Sequence, residues 1–168
     1  MTISMYATSV PVFKQLLSSM SVNLDKAAAH AVEKKIDPNA LLQARLFPDM
    51  FPLLRQVLIA ADFAKGACAR LAGVDVPKYE DIEQTFADLQ ARIAKTLAFI
   101  DTLSADQIDG SEAREITTSS GPNSKTFIGQ TYLVHYALPQ FFFHATTAYA
   151  ILRHNGVEIG KRDFMGKF

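Results

Sequence analysis

The chemistry this chain could perform centres on one inward-facing histidine. In the nearly uncharged run from Gly129 to Gly156, GQTYLVHYALPQFFFHATTAYAILRHNG, the positions Val134, Ala137, Phe141, His144, Ala148 and Ile151 step by alternating threes and fours. They therefore share one stripe of a helix. Five are apolar and the sixth is His144. An imidazole can ligate a metal, accept a hydrogen bond or shuttle a proton near neutral pH. Gln140 stands one helical turn earlier on the same side, and Gln56 flanks a second apolar stripe beside Val57 and Ala60, where it could face His144. Two histidines at i, i+4 would be the specific signature of a metal site. Here one of the two positions is a glutamine, whose neutral carbonyl is a weak donor for a divalent ion. On residue type and spacing alone, His144 reads first as a core histidine bonded to a group on a neighbouring helix.

The other reactive side chains carry weaker signals. Cys68 is the single cysteine, which excludes an intramolecular disulfide and any multi-cysteine zinc site. No basic residue adjoins it on its helix face, so it reads as a buried, inert thiol. Asp62 and Lys65, three apart, read by default as a surface pair. His30, His135 and His154 have no partner at ligand spacing and read as surface or helix-end residues. Ser119-Ser120-Gly121 lacks the following G-K-[ST] of a phosphate loop, and no G-x-S-x-G nucleophile elbow is present.

The elements that must position these residues follow from periodicity. Tyr6, Val10, Phe13, Leu17, Met20, Leu24, Ala27 and Ala31 keep a four-three spacing within a segment from about Ser4 to Lys35, a bundle-helix pattern with Pro11 near its start. Asp37 can cap a short turn through Ala44. A second stripe, Met50, Leu54, Val57, Ala61, Ala64, Cys68 and Leu71, stops at Gly73. A third runs Ile82, Phe86, Leu89, Ile93, Thr96, Ile100 and Leu103, with Glu83, Asp88, Arg92 and Lys95 assigned to a solvated outer face and Asp88–Arg92 to an i,i+4 pair. Ser104 and Gln107 have capping-box spacing. REITT and KTFI around SSGPNS predict two short strands and a Gly-Pro turn before the last helix. That helix is expected from near Ile128 to Asn155-Gly156, kinked at Pro139. The apolar tail VEIGKRDFMGKF is expected to pack on the bundle or on a second subunit.

At 168 residues, 49% apolar and 20% charged, the chain reads as one domain spanning residues 1–168 with a substantial core. Seventeen basic residues balance seventeen acidic ones, and no basic cluster exists, so no nucleic-acid partner is expected. The start, MTISMYATSVPVFK, has no signal-peptide pattern, and the polar residues within Tyr132–Leu152 argue for a buried helix over a membrane span. A cytoplasmic protein with no membrane partner is expected. Four amphipathic helices with one strand-like excursion predict an all-α four-helix bundle with a short β-hairpin before the last helix.

Two segments, FPDMFPLLRQVLIAADFAKGACARLAG and PQFFFHATTAYAILRHNGVEIGKRDFMG, closely resemble the DUF1993 family, a branch of the DinB-like superfamily of four-helix bundles. The resemblance covers essentially the whole chain. It implies a protein that is often a homodimer, and a fold in which many members hold a divalent metal on three histidines, one on the second helix and two four residues apart on the fourth. Some members are thiol-dependent transferases or isomerases. Counted back from LRHNG, the second histidine of the pair falls on His144, the first on Gln140, and the second-helix position near Gln56. One histidine is kept and two positions hold amides. The resulting expectation is an uncharacterised DinB-like bundle that binds a small polar ligand around Gln56, Gln140 and His144, without the three-histidine metal site. The alternatives are a divalent-metal-dependent transferase or hydrolase with His144 as the main ligand, completed by water or by Asp49 or Asp62, and a homodimeric interaction module.

Overall fold

A computed structural model describes residues 3–120 and 123–167. The first long helix, α1, is Val10–Lys34. It begins later than the stripe suggests, because Pro11 has no N–H to give the Ala7 carbonyl. Before it, the Ser9 hydroxyl donates to the Met5 carbonyl at 2.6 Å. The stripe from Val10 to Ala31 is buried. In the short α2, Pro38–Leu42, the Asp37 carboxylate accepts from the Asn39 N–H at 2.9 Å, the expected cap.

Helix α3 is Leu53–Ala72, so Met50 lies in the loop before it. Gly73 ends it at φ 71°, a left-handed conformation that costs a glycine little. Its stripe of Val57, Ala61, Ala64, Cys68 and Leu71 is fully buried. The third stripe misplaces its helix start. Helix α4 is Phe86–Ile100, and Ile82 is 73% exposed. A capping box sets the boundary: Asp88 N–H donates to the Thr85 hydroxyl at 3.1 Å, and Thr85 N–H donates to the Asp88 carboxylate at 2.9 Å. Asp88 is thereby used as a cap and not as a partner of Arg92. Helix α5, Ala105–Ile108, follows, with Gln107 accepting from the Ser104 N–H at 2.9 Å.

Strands β1, Glu115–Ser120, and β2, Asn123–Ile128, pair antiparallel with Glu115 opposite Ile128 and Thr117 opposite Thr126. This is the hairpin the sequence predicts; its Gly121-Pro122 turn lies outside the described residues. The last helical stretch is composite: α6 at Gly129–Thr131, a π-helical turn over Tyr132–Ala137, and α7 over Leu138–His154. Pro139 cannot donate to His135, and the wider turn absorbs the lost bond just upstream. The extra residue in that turn shifts the helical phase. Leu133 is therefore buried and Val134 is 47% exposed, the reverse of the regular stripe, while Ala137, Phe141, His144, Ala148 and Ile151 remain buried.

The long helices form a ring in which α3 touches α4 and α7, and α1 touches α4 and α7. Their apolar faces meet in one core cluster. The tail folds back. Val157 and Ile159 are buried, and helix α8, Lys161–Met165, docks on α1. Ser19 and Asn23 donate to the Asp163 carbonyl, Lys26 pairs with the Asp163 carboxylate, and Phe164 packs edge-on against Tyr149. Phe168 lies outside the described residues. Among the described residues no helix is long and apolar enough to cross a membrane.

Candidate functional site

Packing of α3 on α7 brings Gln56 and His144 together, 88 positions apart in the chain. Both are buried, at 1% and 7% exposure. The Gln56 amide nitrogen donates to the Phe51 carbonyl at 3.0 Å, just before α3 begins. That bond turns Gln56 Oε1 toward His144, where it accepts from Nδ1–H at 2.7 Å. The network thus assigns the Nδ1-protonated tautomer and leaves the Nε2 lone pair as the one unassigned acceptor of the ring. Burial lowers the His144 pKa below its ordinary value, and the Arg55 charge adds to this, so the imidazole is held neutral.

Aromatic rings frame the pair. Phe63 lies nearly parallel to His144, with centroids 6.0 Å apart and planes at 16°, and Phe143 meets it edge-on at 5.2 Å. The π-helical turn supplies Tyr136, which packs on Phe63 at 5.9 Å. Gln140 is half-buried and, among the described residues, hydrogen-bonds to neither Gln56 nor His144. Two of the three residues singled out from the sequence are therefore joined directly and the third is not. The large surface cavities, about 900 Å³ between α1 and α8 and about 530 Å³ beside α4, are lined by other residues.

Sequence reasoning missed a second polar centre. Arg92, assigned to a solvated face, is 3% exposed. Its guanidinium donates to Asp62 at 3.0 Å, Asp81 at 3.1 Å, Glu83 at 2.9 Å and the Glu80 carbonyl at 3.0 Å. Lys65, also buried, donates to Asp62 at 2.8 Å and stands 3.9 Å from the centre of the Tyr79 ring. Asp81 also pairs with Arg55. Burial opposes the Asp81 charge, but Arg55 and Arg92 outweigh it and hold the carboxyl below its ordinary pKa. A signal was available: Arg92 is three positions after Leu89 and four before Thr96, on the edge of the buried stripe, and the acidic run Glu80-Asp81-Ile82-Glu83 precedes it. Cys68 is buried as expected, which pushes its thiol pKa up to about 12.

The metal centre implied by the resemblance needs three strong donors. The corresponding positions offer one imidazole and two amides, and the Gln56 carbonyl oxygen is already used by His144. Asp62 is engaged by Lys65 and Arg92. Among the described residues no group of three His, Cys, Asp or Glu side chains is placed to hold a metal ion. These donors do not fit a three-histidine site.

The helix ring, the hairpin before the last helix and the α3–α7 polar pair define a DinB-like four-helix bundle. The chain is similar to a solved structure described as a DinB family member protein from Shewanella denitrificans, with 41% identity, a TM-score of 0.88, and coverage of 97% of this chain and 92% of that one. The profile described as "Domain of unknown function (DUF1993)" matches residues 5–165, and the chain belongs to that family. No curated protein matches it.

Proposed function

We propose that this DinB-like protein binds a small polar ligand through His144. The observation that carries this reading is the orientation of Gln56. With its amide nitrogen committed to Phe51 and its oxygen to His144 Nδ1, the neutral ring keeps a lone pair at Nε2. A ligand with an O–H or N–H donor matches that acceptor, and the surrounding Phe63 and Phe143 rings favour a molecule with an apolar body. The test is a thermal-shift screen of small donors followed by long-range ¹H–¹⁵N NMR of the His144 ring. A ligand that moves the Nε2 resonance and loses its effect in His144→Phe supports the proposal. Hits that leave His144 unmoved, or no hits at all, overturn it. Near-stoichiometric zinc, nickel or manganese that is lost in His144→Ala would favour the metal-dependent alternative.

A second reading, a homodimer formed through this face, is favoured by three apolar side chains: Phe47, Phe51 and Phe143 are 62%, 54% and 56% exposed. Light scattering distinguishes it. Phe143→Ser should lower the mass of a dimer and leave that of a monomer unchanged.

A further inference from the structure

The C-terminal tail and α1 enclose a surface groove of about 900 Å³, near the upper end of the range for small-molecule sites. Its floor is the outer face of α1 from Val10 to Val22, about 18 Å at 1.5 Å per residue. Its wall is a tail pinned in place. Gln15 donates to the Met165 carbonyl at 2.8 Å, the Ser19 hydroxyl meets the Asp163 and Phe164 carbonyls, and Lys26 pairs with the Asp163 carboxylate. Gly166 lets the two surfaces close up: a Cβ there would stand 3.1 Å from that of Ser19, and its φ of 67° suits glycine. The groove is therefore already formed and open to solvent.

Two properties of the lining select a ligand. The first is carbon: Tyr6, Pro11 and the 52% exposed Val22 line the groove together with the stems of Lys14, Arg162 and Lys167. The second is charge, because those three cations share the lining with one carboxylate, Asp163. Asp163 is already engaged by Lys26 at 2.6 Å and by the Gly160 N–H at 2.7 Å, and Lys14 by Asp101. Arg162 and Lys167 are exposed, and among the described residues neither has a carboxylate within ion-pairing distance. We infer that the groove binds a free amphipathic anion, a medium-chain carboxylate, at a site separate from His144. The chain of the ligand lies along α1, and its head group pairs with the two uncompensated cations of the tail. Each half is needed. A small anion alone gains little from exposed cations that water already solvates. An uncharged chain of the same length gains only apolar burial, and a cationic one meets charge of its own sign.

The test follows backbone amide resonances of ¹⁵N-labelled protein at low salt, titrated separately with monomeric octanoate, octanol, octyltrimethylammonium and acetate. Octanoate should give saturable shifts in 10–22 and 162–167 and slow hydrogen exchange across the tail. Octanol should bind about tenfold more weakly, and the other two should not saturate. Replacing both cations, Arg162→Gln with Lys167→Gln, should bring octanoate down to the affinity of octanol and leave octanol unchanged. Ser18→Phe, an exposed position in the lining, should block both ligands while circular dichroism stays that of the wild type. The proposal is overturned by no saturable shift with octanoate, by equal affinity for octanol or the ammonium, or by a double variant that binds octanoate as before. Shifts centred on His144, or binding to anionic vesicles without binding of the monomer, overturn it as well.

Discussion

His144 Nδ1 and Gln56 Oε1 lie 2.7 Å apart across the α3–α7 interface, and Gln56 in turn reaches back to the Phe51 carbonyl. One side chain on α3 therefore serves two purposes, fixing the imidazole tautomer and tying down the chain that enters α3. Gln56→Ala leaves a buried N–H and a carbonyl without partners, and is expected to destabilise the fold by about 1–3 kcal/mol in urea unfolding. The same change should collapse the long-range ¹H–¹⁵N pattern of His144 into a mixture of tautomers. A variant of wild-type stability with an unchanged tautomer would show that other groups orient the ring.

The buried imidazole also sets a pH dependence. Its folded pKa lies below the ordinary 6.5, so the unfolded chain takes up the proton more readily. The neutral ring's contribution to stability is complete above that value and declines as pH falls from it toward the folded midpoint. Stability followed by urea unfolding should drop on acidification below about 6.5, and His144→Gln should flatten that slope. Equal slopes for the two proteins would count against a depressed His144.

Arg92 holds the segment 74–85 against the bundle, since Asp81 and Glu83 both lie on that segment. Replacing it with methionine keeps the apolar stem and removes the charge. Of its three carboxylate partners, Asp62 and Asp81 are 42% and 37% exposed and can hydrate, whereas Glu83 is 10% exposed and cannot readily do so. The expected loss is about 3 kcal/mol, the low end for breaking a buried pair. Amide hydrogen exchange should rise across 78–83 and remain slow in α1. A loss under about 1 kcal/mol would place Arg92 among ordinary surface pairs.

How much of this was legible in the sequence depends on the range of the forces involved. Helix stripes follow from local periodicity, and Val57 to Leu71 and Val10 to Ala31 are buried as the spacing requires. Periodicity fails where a local bond overrides it. The Thr85–Asp88 capping box moves the start of α4 past Ile82, and the π-helical turn before Pro139 exchanges Leu133 for Val134 in the core. In the site, the proximity of Gln56 to His144 could be read from two stripe edges, but the direction of the Gln56 amide depends on Phe51, which no periodicity includes. A charged residue is exposed by default, so the spacing alone puts Arg92 on the solvated face. Its burial depends on acidic partners from α3 and from the preceding loop, a tertiary arrangement.

The tail gives a test of docking by side chain to backbone. The Ser19 hydroxyl lies within hydrogen-bonding distance of the Asp163 and Phe164 carbonyls, and Gln15 donates to the Met165 carbonyl at 2.8 Å, so polar residues of α1 satisfy the C-terminal end of α8. Ser19→Ala should cost about 1 kcal/mol and speed exchange in 161–166 while leaving α3 and α7 protected. Uniformly faster exchange would mean that the tail unfolds only with the whole bundle.

At Gly129 the last helical stretch runs tight against the loop after α5. A Cβ built there would lie 1.9 Å from the Ser111 carbonyl oxygen, a backbone atom that cannot step aside as a side chain would. The same contact is reinforced next door, where Gln130 N–H donates to the Glu112 carbonyl at 2.9 Å. Gly129→Ala must therefore push α6 off that loop, at an expected cost of about 1–3 kcal/mol from overpacking and with none of the helix-propensity gain alanine usually brings. Because α6 leads through the π-helical turn into α7, the displacement should also appear at Tyr136 and His144 as changed ring resonances. Gly110→Ala, which meets nothing within 4 Å but stands at φ 83°, separates steric from conformational cost: it should destabilise modestly and leave His144 unmoved. If Gly129→Ala proves as mild as Gly110→Ala, the loop yields and the helix start is not fixed by this contact.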